Sequence, residues 1–383
     1  MNLRTLDGLE VAGKRVLLRS DLNVPMSAGE ISDDFRIRSS FATLRELLDR
    51  GALQVVIAAH LGRPKGEPNL KYSLAPVAVR LGELLGTTVP LAPLPPGAVP
   101  NVPVVLLENV RFNPGETKND PEFARALASL ADVYVDDAFG AVHRAHASVA
   151  AVAELLPSAA GRLLQREIEV LGRVLENPEH PLVAVLGGAK VSDKLLVIEN
   201  LLRVADRLVI GGAMCFTFFR AMGYSTGTSL VEEDRIQDCA RLLEQSADRI
   251  LLPTDVVVAE KMEAGQATRV VGADAIPAGF AGYDIGPSSI AAYADAVAGA
   301  RTVLWNGPMG VFEIEEFAEG TKGLARAVAA TTAQTVVGGG DSIAALEQFG
   351  LLGSVDHAST GGGAMLEFLE GKELPGLVPL RIA

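Results

Sequence analysis

The chain has 383 residues, of which 49% are hydrophobic and 21% charged, and its formal net charge is −13. This length predicts about two globular domains, and the acidic balance disfavours a surface for nucleic acid or anionic membranes. Apolar runs such as 208–219 are too short to span a bilayer, and residues 1–16 lack the apolar stretch of a signal peptide. Cys215 and Cys239, the only cysteines, disfavour a disulfide framework and predict a reducing, cytoplasmic environment.

Short apolar strands alternate with amphipathic helices along the chain, which is typical of parallel α/β layers. In chain order, the predicted strands are 15–19, 55–59, 102–107, 133–135, 182–186, 208–210, 250–252, 302–305 and 335–337. The predicted helices are 37–50, 75–85, 122–130, 161–175, 193–204, 232–245 and 321–331. The proline-rich stretch 92–100 predicts a surface loop.

The residues just past these strands differ between the two halves of the chain. Open α/β sheets bind ligands at the carboxyl ends of their strands, so these positions are the candidates for a site. In the first half they are Asp21, Asn23, His60, Arg63, Glu108, Asn109, Arg111, Asp136 and Asp137, with Arg144 a few residues on. In the second half they are 187–190, Gly211, Gly212, Thr254, Asp255, 306–308 and 338–341. Two domains with different functions, connected by the helix 161–175, are the simplest interpretation.

Five basic residues of the first half are predicted to lie in loops near strand ends. They are Arg36, His60, Arg63, Arg111 and Arg144. Arginine binds carboxylate and phosphate through two parallel hydrogen bonds, so their convergence would make a site for a multiply anionic small molecule. Any one of them is more simply a surface residue in a local ion pair, but all five together favour convergence. His143 and His146 have the spacing of a metal pair, yet without a further ligand nearby an anion site or helix cap is favoured over zinc.

The stretch 335–343 predicts a nucleotide site. A β-branched strand is followed by Gly338, Gly339 and Gly340, and then by Asp341 and Ser342 at the start of a predicted helix 342–348. Glycines let backbone N–H groups approach an anion, and a helix N-terminus favours negative charge. An aspartate among such donors indicates a cation as well, so the pattern predicts a magnesium-bound nucleotide phosphate.

Three further segments of the second half add to this prediction. Lys190 and Lys194 are four residues apart, so a helix would place them on one face toward a phosphate chain, although a solvated lysine pair is the alternative. Glu313, in the loop 305–313, is placed to hydrogen-bond a ribose hydroxyl. Residues 360–363 precede a predicted helix 364–370 and offer a second anion nest, with a tight turn as the alternative.

The absence of G-x-S-x-G, H-E-x-x-H and G-x-G-x-x-G disfavours hydrolases, metalloproteases and dinucleotide enzymes.

Together these motifs closely resemble the phosphoglycerate kinase family along essentially the whole chain. The stretches that carry the resemblance are 19–25, 59–64, 108–112, 143–146, 186–194, 211–219, 305–313, 338–342 and 359–363. The resemblance implies an α/β fold of two doubly wound parallel-sheet (Rossmann-like) domains joined by a helix and a hinge. It implies a phosphoglycerate-binding N-domain of residues 1–160 with the C-terminal tail 372–383, a connecting helix 161–178, and a nucleotide-binding C-domain of residues 179–371.

The resemblance also implies a role for individual residues. Phosphoglycerate would be bound by Asp21, Leu22, Asn23, Arg36, His60, Leu61, Gly62, Arg63, Arg111 and Arg144. ATP or ADP would be bound by Lys194, Gly212, Gly282, Asn306, Glu313, Gly339, Gly340, Asp341 and Ser342, with Asp341 toward Mg²⁺. The catalytic groups would be Arg36, Lys190, Gly361 and Gly362.

The implied reaction is the reversible transfer of a phosphoryl group from 1,3-bisphosphoglycerate to ADP, by a cytoplasmic monomer. Such a transfer needs charge neutralisation and positioning more than a protein nucleophile, which agrees with the absence of a Ser-His or Cys-His arrangement. A nicotinamide-dependent dehydrogenase and a two-domain anion-binding protein are the alternatives. The missing G-x-G-x-x-G pattern disfavours the first, and the absence of a signal peptide disfavours the second.

Overall fold

The structure is a computed structural model that describes residues 1–94, 97, 99–246 and 248–382. Residues 95, 96 and 98 of the predicted loop 92–100, and residue 383 of the predicted tail, lie outside the described residues. The chain divides into two compact units, one of Met1–Glu169 with Lys372–Ala383 and the other of Val170–Gly371. No helix in the described part of the chain is both long enough and apolar enough to cross a membrane.

The first unit is built around one parallel sheet. The strands of the first unit, not all of which belong to this sheet, are β1 (Arg15–Ser20), β2 (Met26–Ser27), β3 (Glu30–Ile31), β4 (Gln54–Ala58), β5 (Leu91–Ala92), β6 (Val104–Leu107), β7 (Val133–Asp137) and β8 (Ser158–Ala160). Its helices are α1 (Phe35–Asp49), α2 (Ala75–Leu85), α3 (Pro121–Ala128) and the start of α4 (Arg162–Glu176). Short 3₁₀ helices cover Leu6–Gly8, Leu70–Tyr72, Val110–Phe112, Phe139–Ala141, Ala151–Glu154 and Val378–Leu380.

The strand order of this sheet defines a switch point. Among the described residues the sheet has six strands in the order β5-β6-β4-β1-β7-β8, and every pair is parallel. Leu18 and Ile57 pack into the hydrophobic cluster on one face, whereas Leu17 and Val56 pack into the cluster on the other. Burial on both faces explains the continuous apolar strands. The strand order reverses between β1 and β7, where an open α/β sheet places its ligand.

The second unit contains a second parallel sheet. The strands of the second unit, not all of which belong to this sheet, are β9 (Leu182–Leu186), β10 (Arg207–Ile210), β11 (Ser225–Thr226), β12 (Ile250–Leu251), β13 (Asp255–Ala259), β14 (Arg269–Gly272), β15 (Ala275–Ile276), β16 (Ala281–Ile285), β17 (Thr302–Asn306), β18 (Gln334–Gly338) and β19 (His357–Ala358). Its helices are the end of α4, α5 (Leu195–Leu201), α6 (Cys215–Ala221), α7 (Ile236–Ser246), α8 (Pro287–Ala298), α9 (Glu319–Ala330), α10 (Gly340–Gln348) and α11 (Gly363–Leu369). Its 3₁₀ helices are Glu233–Arg235, Glu315–Phe317 and Leu352–Ser354.

The second sheet has the strand order of a dinucleotide-binding fold. Over the described residues its six parallel strands run β12-β10-β9-β17-β18-β19, which is the 3-2-1-4-5-6 order, with the switch point between β9 and β17. β13 pairs antiparallel with β14 and β16 in a separate small sheet. The two parallel sheets confirm the predicted α/β class.

Two local predictions are wrong. Arg36 does not lie in a loop, because α1 begins at Phe35 and carries Arg36 in its first turn. Lys190 and Lys194 do not share a helix face, because α5 begins only at Leu195. Lys190 is exposed in the irregular segment before it, whereas Lys194 is buried.

A buried tyrosine fastens α8 to the end of β10. Tyr293 is 1% exposed, and its hydroxyl donates to the Ile210 carbonyl over 2.6 Å, just before Gly211 and Gly212. We expect Tyr293→Phe to lower the free energy of unfolding by about 1 kcal/mol, since a buried hydrogen bond is lost without a cavity. Urea denaturation measures this. Tyr283→Phe is the control, because the Tyr283 hydroxyl has no hydrogen-bond partner among the described residues; an equal loss in both variants would contradict the prediction.

Candidate functional site

The first unit ties together the loops that follow β1, β4 and β6. Arg36 forms an ion pair with Asp21, whose side chain is buried just past β1. Asn23 Oδ1 accepts a hydrogen bond of 2.8 Å from the Gly62 N–H, and the Arg111 guanidinium donates to the Gly62 carbonyl over 2.8 Å. Three strand ends are therefore joined around one glycine, whose φ of +61° suits a residue without a side chain.

The basic side chains lie close enough to repel one another. Burial, followed by the charges of Arg19, Arg111 and Arg36, lowers the pKa of His60 well below its usual value. Burial, followed by the charges of Arg19 and Arg144, lowers the pKa of Arg111 to about 10. A multiply charged anion would relieve this repulsion, because its negative charge offsets the positive charges of the guanidinium groups.

The remaining predicted residues of this site differ in exposure. Arg63 is exposed and also depresses the pKa of Arg111, whereas Arg144 is half-buried and donates from Nε to His143 Nε2 over 2.9 Å. Leu22 and Leu61 are buried, so only their backbone groups can face a ligand. Burial and the neighbouring Arg144 lower the pKa of His143 to about 4, which agrees with its role as an acceptor. Within the described residues, no group of three or more His, Cys, Asp or Glu side chains is placed to hold a metal.

Behind these residues lies a buried network, of which the sequence motifs did not predict Ser148 or Glu116. Arg19 is fully buried and donates from Nε to Ser148 Oγ over 2.9 Å. The Ser148 hydroxyl donates to Glu116 over 2.7 Å, and His146 lies 3.6 Å from the same carboxylate. Burial opposes ionisation of Glu116, but the nearby His146, the charge of Arg19 and the hydrogen bond from Ser148 lower its pKa overall. The sequence signal was Arg19, which directly follows the apolar run 16–18 within β1.

Lys194 lies at the switch point of the second sheet. Its ammonium donates to the carbonyl oxygens of Gly187 at 2.6 Å and Asn306 at 2.8 Å, and to Asn306 Oδ1 at 2.6 Å. Burial lowers its pKa to about 8, and the carboxylates of Asp341 and Asp193 oppose that shift. The lysine therefore ties the ends of β9 and β17 together where an open α/β sheet places its ligand.

The glycine loop after β18 approaches the same switch point. Gly339 has a φ of +93°, and a Cβ there would lie 3.1 Å from Asn306 Nδ2. Ser342 is buried and accepts a hydrogen bond of 2.7 Å from the Gly307 N–H. Gly340 begins α10, and Asp341 lies exposed in its first turn. This loop thus combines a helix N-terminus with a carboxylate, as the sequence predicts.

Close backbone approach explains two further glycines. A Cβ on Gly212 would overlap the backbone of Gly188, and its φ is +67°. A Cβ on Gly282 would overlap the ring of Phe216, while its N–H donates to Ser229 Oγ over 2.9 Å. Both positions therefore require glycine, because a side chain would clash with neighbouring protein atoms.

The last predicted residues lie in loops around the second sheet. Gly362 has a φ of +50°, and the Gly361 N–H donates to Ser359 Oγ over 3.1 Å. Lys190 and Glu313 are exposed, so their polar ends remain available to a ligand.

A buried carboxylate positions the loop 307–313. Asp284, on β16, accepts hydrogen bonds from the N–H of Gly320 at 2.6 Å and of Ile285 at 2.9 Å. A Cβ on Gly310 would overlap this carboxylate, so loop and carboxylate are in direct contact. Thr321 Oγ1 accepts from the N–H groups of 309 and 310 at 3.0 and 3.2 Å, which attaches the loop to the start of α9.

These sites define the class of protein. A cluster of cations follows the strands of one parallel sheet, and glycine loops with a buried lysine follow those of the other. The class is an α/β enzyme that handles phosphorylated small molecules.

Residues 6–372 match the family described as phosphoglycerate kinase. The chain therefore belongs to the phosphoglycerate kinase family and is a phosphotransferase.

Individual relatives agree with this family. The phosphoglycerate kinase of Rubrobacter xylanophilus is 56% identical over 389 residues, covering 99% of this chain and 98% of the relative. That of Moorella thermoacetica is 55% identical, covering 98% of both. The structure of phosphoglycerate kinase from Coxiella burnetii is similar with a TM-score of 0.89 at 44% identity, covering 98% of both chains. That from Pyrococcus horikoshii has a TM-score of 0.87 at 34% identity, covering 99% of this chain and 98% of the other.

The buried Asp284 predicts a pH dependence of stability. Burial raises its pKa to about 7 in the folded state, so the folded protein binds more protons than the unfolded protein between about pH 4 and 7. The stability from this group is therefore complete at low pH and is lost as the pH rises through about 7. We expect the free energy of unfolding of Asp284→Asn to fall less steeply with rising pH than that of the parent, by up to about 1.4 kcal/mol per pH unit.

Urea denaturation of both proteins at several pH values between 4 and 8 measures this slope. The acceptor oxygen lost in Asp284→Asn changes the free energy of unfolding by the same amount at every pH. The difference in slope between the two proteins therefore reports only the titration of Asp284. Parallel curves for the variant and the parent would show that Asp284 does not titrate in this range.

Proposed function

We propose that this chain catalyses the reversible transfer of a phosphoryl group from 1,3-bisphosphoglycerate to ADP, which gives 3-phosphoglycerate and ATP. The observation that carries the proposal is the cluster of mutually repelling cations at one sheet edge, in a chain of this family. A triose acid with phosphate and carboxylate groups supplies the negative charge that such a cluster needs. Membership of the family does not favour a nicotinamide-dependent dehydrogenase or a simple anion-binding protein.

The first domain, residues 1–160 with the tail 372–383, binds phosphoglycerate in this proposal. The guanidinium groups hold the anionic groups through paired hydrogen bonds, and His60 and Asn23 contribute polar contacts. The ligand-binding residues are Asp21, Leu22, Asn23, Arg36, His60, Leu61, Gly62, Arg63, Arg111 and Arg144. The Asp21 carboxylate holds the Arg36 guanidinium in place until the ligand arrives.

The second domain, residues 179–371, binds the nucleotide, and residues 161–178 connect the two. Backbone N–H groups of the glycine loops face the phosphates, and Glu313 accepts from the ribose hydroxyls. The nucleotide-binding residues are Lys194, Gly212, Gly282, Asn306, Glu313, Gly339, Gly340, Asp341 and Ser342.

The donor set at the start of α10 fits a magnesium ion. Asp341 presents an exposed carboxylate beside phosphate-binding glycines, and Mg²⁺ is commonly held by one carboxylate together with nucleotide phosphates and water. When bound with the nucleotide, the ion neutralises phosphate charge. Asp341 therefore serves as its protein ligand.

The protein's contribution to the transfer itself is positioning and charge neutralisation. Arg36 and Lys190 stabilise the negative charge on the moving phosphoryl group, and the backbone nest that contains Gly361 and Gly362 donates to its oxygens. The acyl phosphate needs no general base, because its leaving carboxylate is stable at neutral pH. We expect the protein to act as a monomer in the cytoplasm. We also expect a hinge movement that closes it on its two ligands and excludes water from the reaction.

Titration calorimetry with magnesium-ATP and then with 3-phosphoglycerate tests the proposal. Binding of both, followed by formation of ADP, supports it, and small-angle scattering with both ligands should report the closure. A protein that binds neither ligand would refute it.

Arg36→Ala and Lys190→Ala should each lower turnover by roughly 10²–10³-fold while the fold stays intact, because each removes one charge from the transition state. Steady-state kinetics measures the loss. Arg38→Ala and Lys322→Ala are matched controls, since these side chains form surface ion pairs with Asp34 and Glu319. Near-normal turnover of Arg36→Ala or Lys190→Ala would remove that residue from the mechanism.

Asp341→Asn should raise the magnesium concentration required for half-maximal activity by about tenfold or more, because a neutral amide is a weaker ligand for a hard cation. Activity measured against MgCl₂ at a fixed ADP concentration tests this. Asp295→Asn is the control, on the exposed surface of α8. An unchanged magnesium requirement in Asp341→Asn would count against Asp341 as the metal ligand.

A further inference from the structure

One hydrogen bond in the first unit determines where His60 carries its proton. Arg19 Nη2 lies 3.0 Å from His60 Nδ1, and the two residues are 0% and 5% exposed. A guanidinium group has only N–H donors and stays protonated in proteins. The Nδ1 atom must therefore accept this hydrogen bond, and a ring nitrogen that accepts has no proton of its own.

The other ring nitrogen is free to act on a ligand. A neutral imidazole with a bare Nδ1 carries its proton on Nε2. His60 Nε2 makes no hydrogen bond to any described residue. It also does not belong to the fully buried side-chain atoms that lack a partner, so this atom is not fully buried. The Nδ1 atoms of His143 and His146, by contrast, are buried without a partner. His60 Nε2 is therefore accessible from outside the protein.

We propose that His60 serves the phosphoglycerate site as a neutral hydrogen-bond donor through Nε2, and that Arg19 is the positioning residue that fixes this tautomer. The inference rests on the proposed function, since it names how one residue of that site acts on an oxygen of the ligand. It assigns Arg19 no contact with the ligand.

The network behind His60 holds Arg19 in this position. Arg19 donates from Nε to Ser148 Oγ and from Nη1 to the Ser20 carbonyl. Through the Ser148 hydroxyl its charge faces the buried Glu116 carboxylate, so the cation is compensated without direct contact. The guanidinium cannot rotate away from His60 without breaking these bonds.

The charges around His60 oppose its protonation. The groups that face it are Arg19 from β1, Arg36 from α1, Arg111 from the 3₁₀ helix after β6, and His146. Burial is the largest cause that lowers the pKa of His60, and the three guanidinium groups add to it. Protonation would also direct an Nδ1–H bond at the guanidinium. We therefore expect His60 itself to contribute no step to the pH dependence of affinity for 3-phosphoglycerate, whose own phosphate group titrates at about pH 6.

Nitrogen-15 NMR of the whole protein without ligand tests the tautomer. The expected result at about pH 7 is a protonated, pyrrole-type Nε2 and a bare, pyridine-type Nδ1 for His60, identified by its absence from the spectrum of His60→Gln. A proton on Nδ1, or an imidazolium, would overturn the proposal.

The role of Arg19 is tested by the double variant Arg19→Met/Glu116→Gln, which removes the charge pair together and so avoids an uncompensated buried carboxylate. We expect His60 in this variant to populate both tautomers and to titrate at higher pH. Arg15→Met is the control, because Arg15 lies on the same strand but pairs with Asp132 at the surface. An unchanged His60 spectrum in a folded double variant would show that Arg19 does not fix the tautomer.

The donor role is tested by two substitutions and calorimetry with 3-phosphoglycerate. A glutamine amide can place an N–H where His60 Nε2 lies, whereas an asparagine amide reaches only to the position of Nδ1. We expect His60→Gln to bind 3-phosphoglycerate about tenfold more tightly than His60→Asn, which is the effect of one hydrogen bond. Equal affinities would refute donation through Nε2.

Failure of this inference differs from failure of the proposed function. The NMR result concerns the ligand-free protein and is independent of catalysis. If the parent protein does not bind 3-phosphoglycerate at all, the proposed function fails and the donor role fails with it, whatever the tautomer. If the parent binds 3-phosphoglycerate but His60 is cationic, only the present inference fails.

Discussion

The carboxyl ends of parallel strands meet at one edge of a sheet, and both candidate sites depend on this constraint. In the first unit it brings Asp21, His60 and Arg111 together from three separate strands. In the second it places Gly187 beside Asn306, which is far away in sequence, and the Gly187 N–H donates to the Asn306 carbonyl over 3.0 Å just past the end of β9. Lys194 can then bridge the two carbonyl groups. Neither site needs a contiguous motif, because the register of the sheet assembles its parts.

The two units hold anions by different physical means. The first uses guanidinium groups, whose charges repel one another until a ligand neutralises them; after burial, the charges of Arg19 and Arg144 lower the pKa of Arg111. Such a site suits a compact ligand with several charges and recognises carboxylate or phosphate geometry. The second uses backbone N–H groups freed by glycines such as Gly212 and Gly339, which suits a chain of phosphates along a loop. The difference follows from which residues end the strands.

The sequence predicted the buried strands and helices best where one physical cause dominates. The bounds 182–186 and 75–85 match β9 and α2, because continuous burial and a clear amphipathic period leave little ambiguity. The antiparallel β13, β14 and β16 were not predicted, since a half-exposed strand such as β14 gives only a weak pattern. The start of α5 was placed too early, because tertiary hydrogen bonds rather than helix propensity decide where Lys194 lies. Arg19 carried a signal in its strand, but its partners Ser148 and Glu116 are 129 and 97 positions away and only the fold reveals them.

A neutral donor inside a cation cluster follows from the same electrostatics. Each further positive charge at the edge of the first sheet raises the cost of the ligand-free state, since neighbouring arginines add to burial in lowering the pKa of Arg111. A protonated His60 would add to it and would also oppose Arg19 at 3.0 Å. A neutral imidazole instead adds one directed hydrogen bond without adding charge. The buried Glu116 compensates the charge of Arg19 from behind, so the arginine orients the ring without needing an anion on the ligand side.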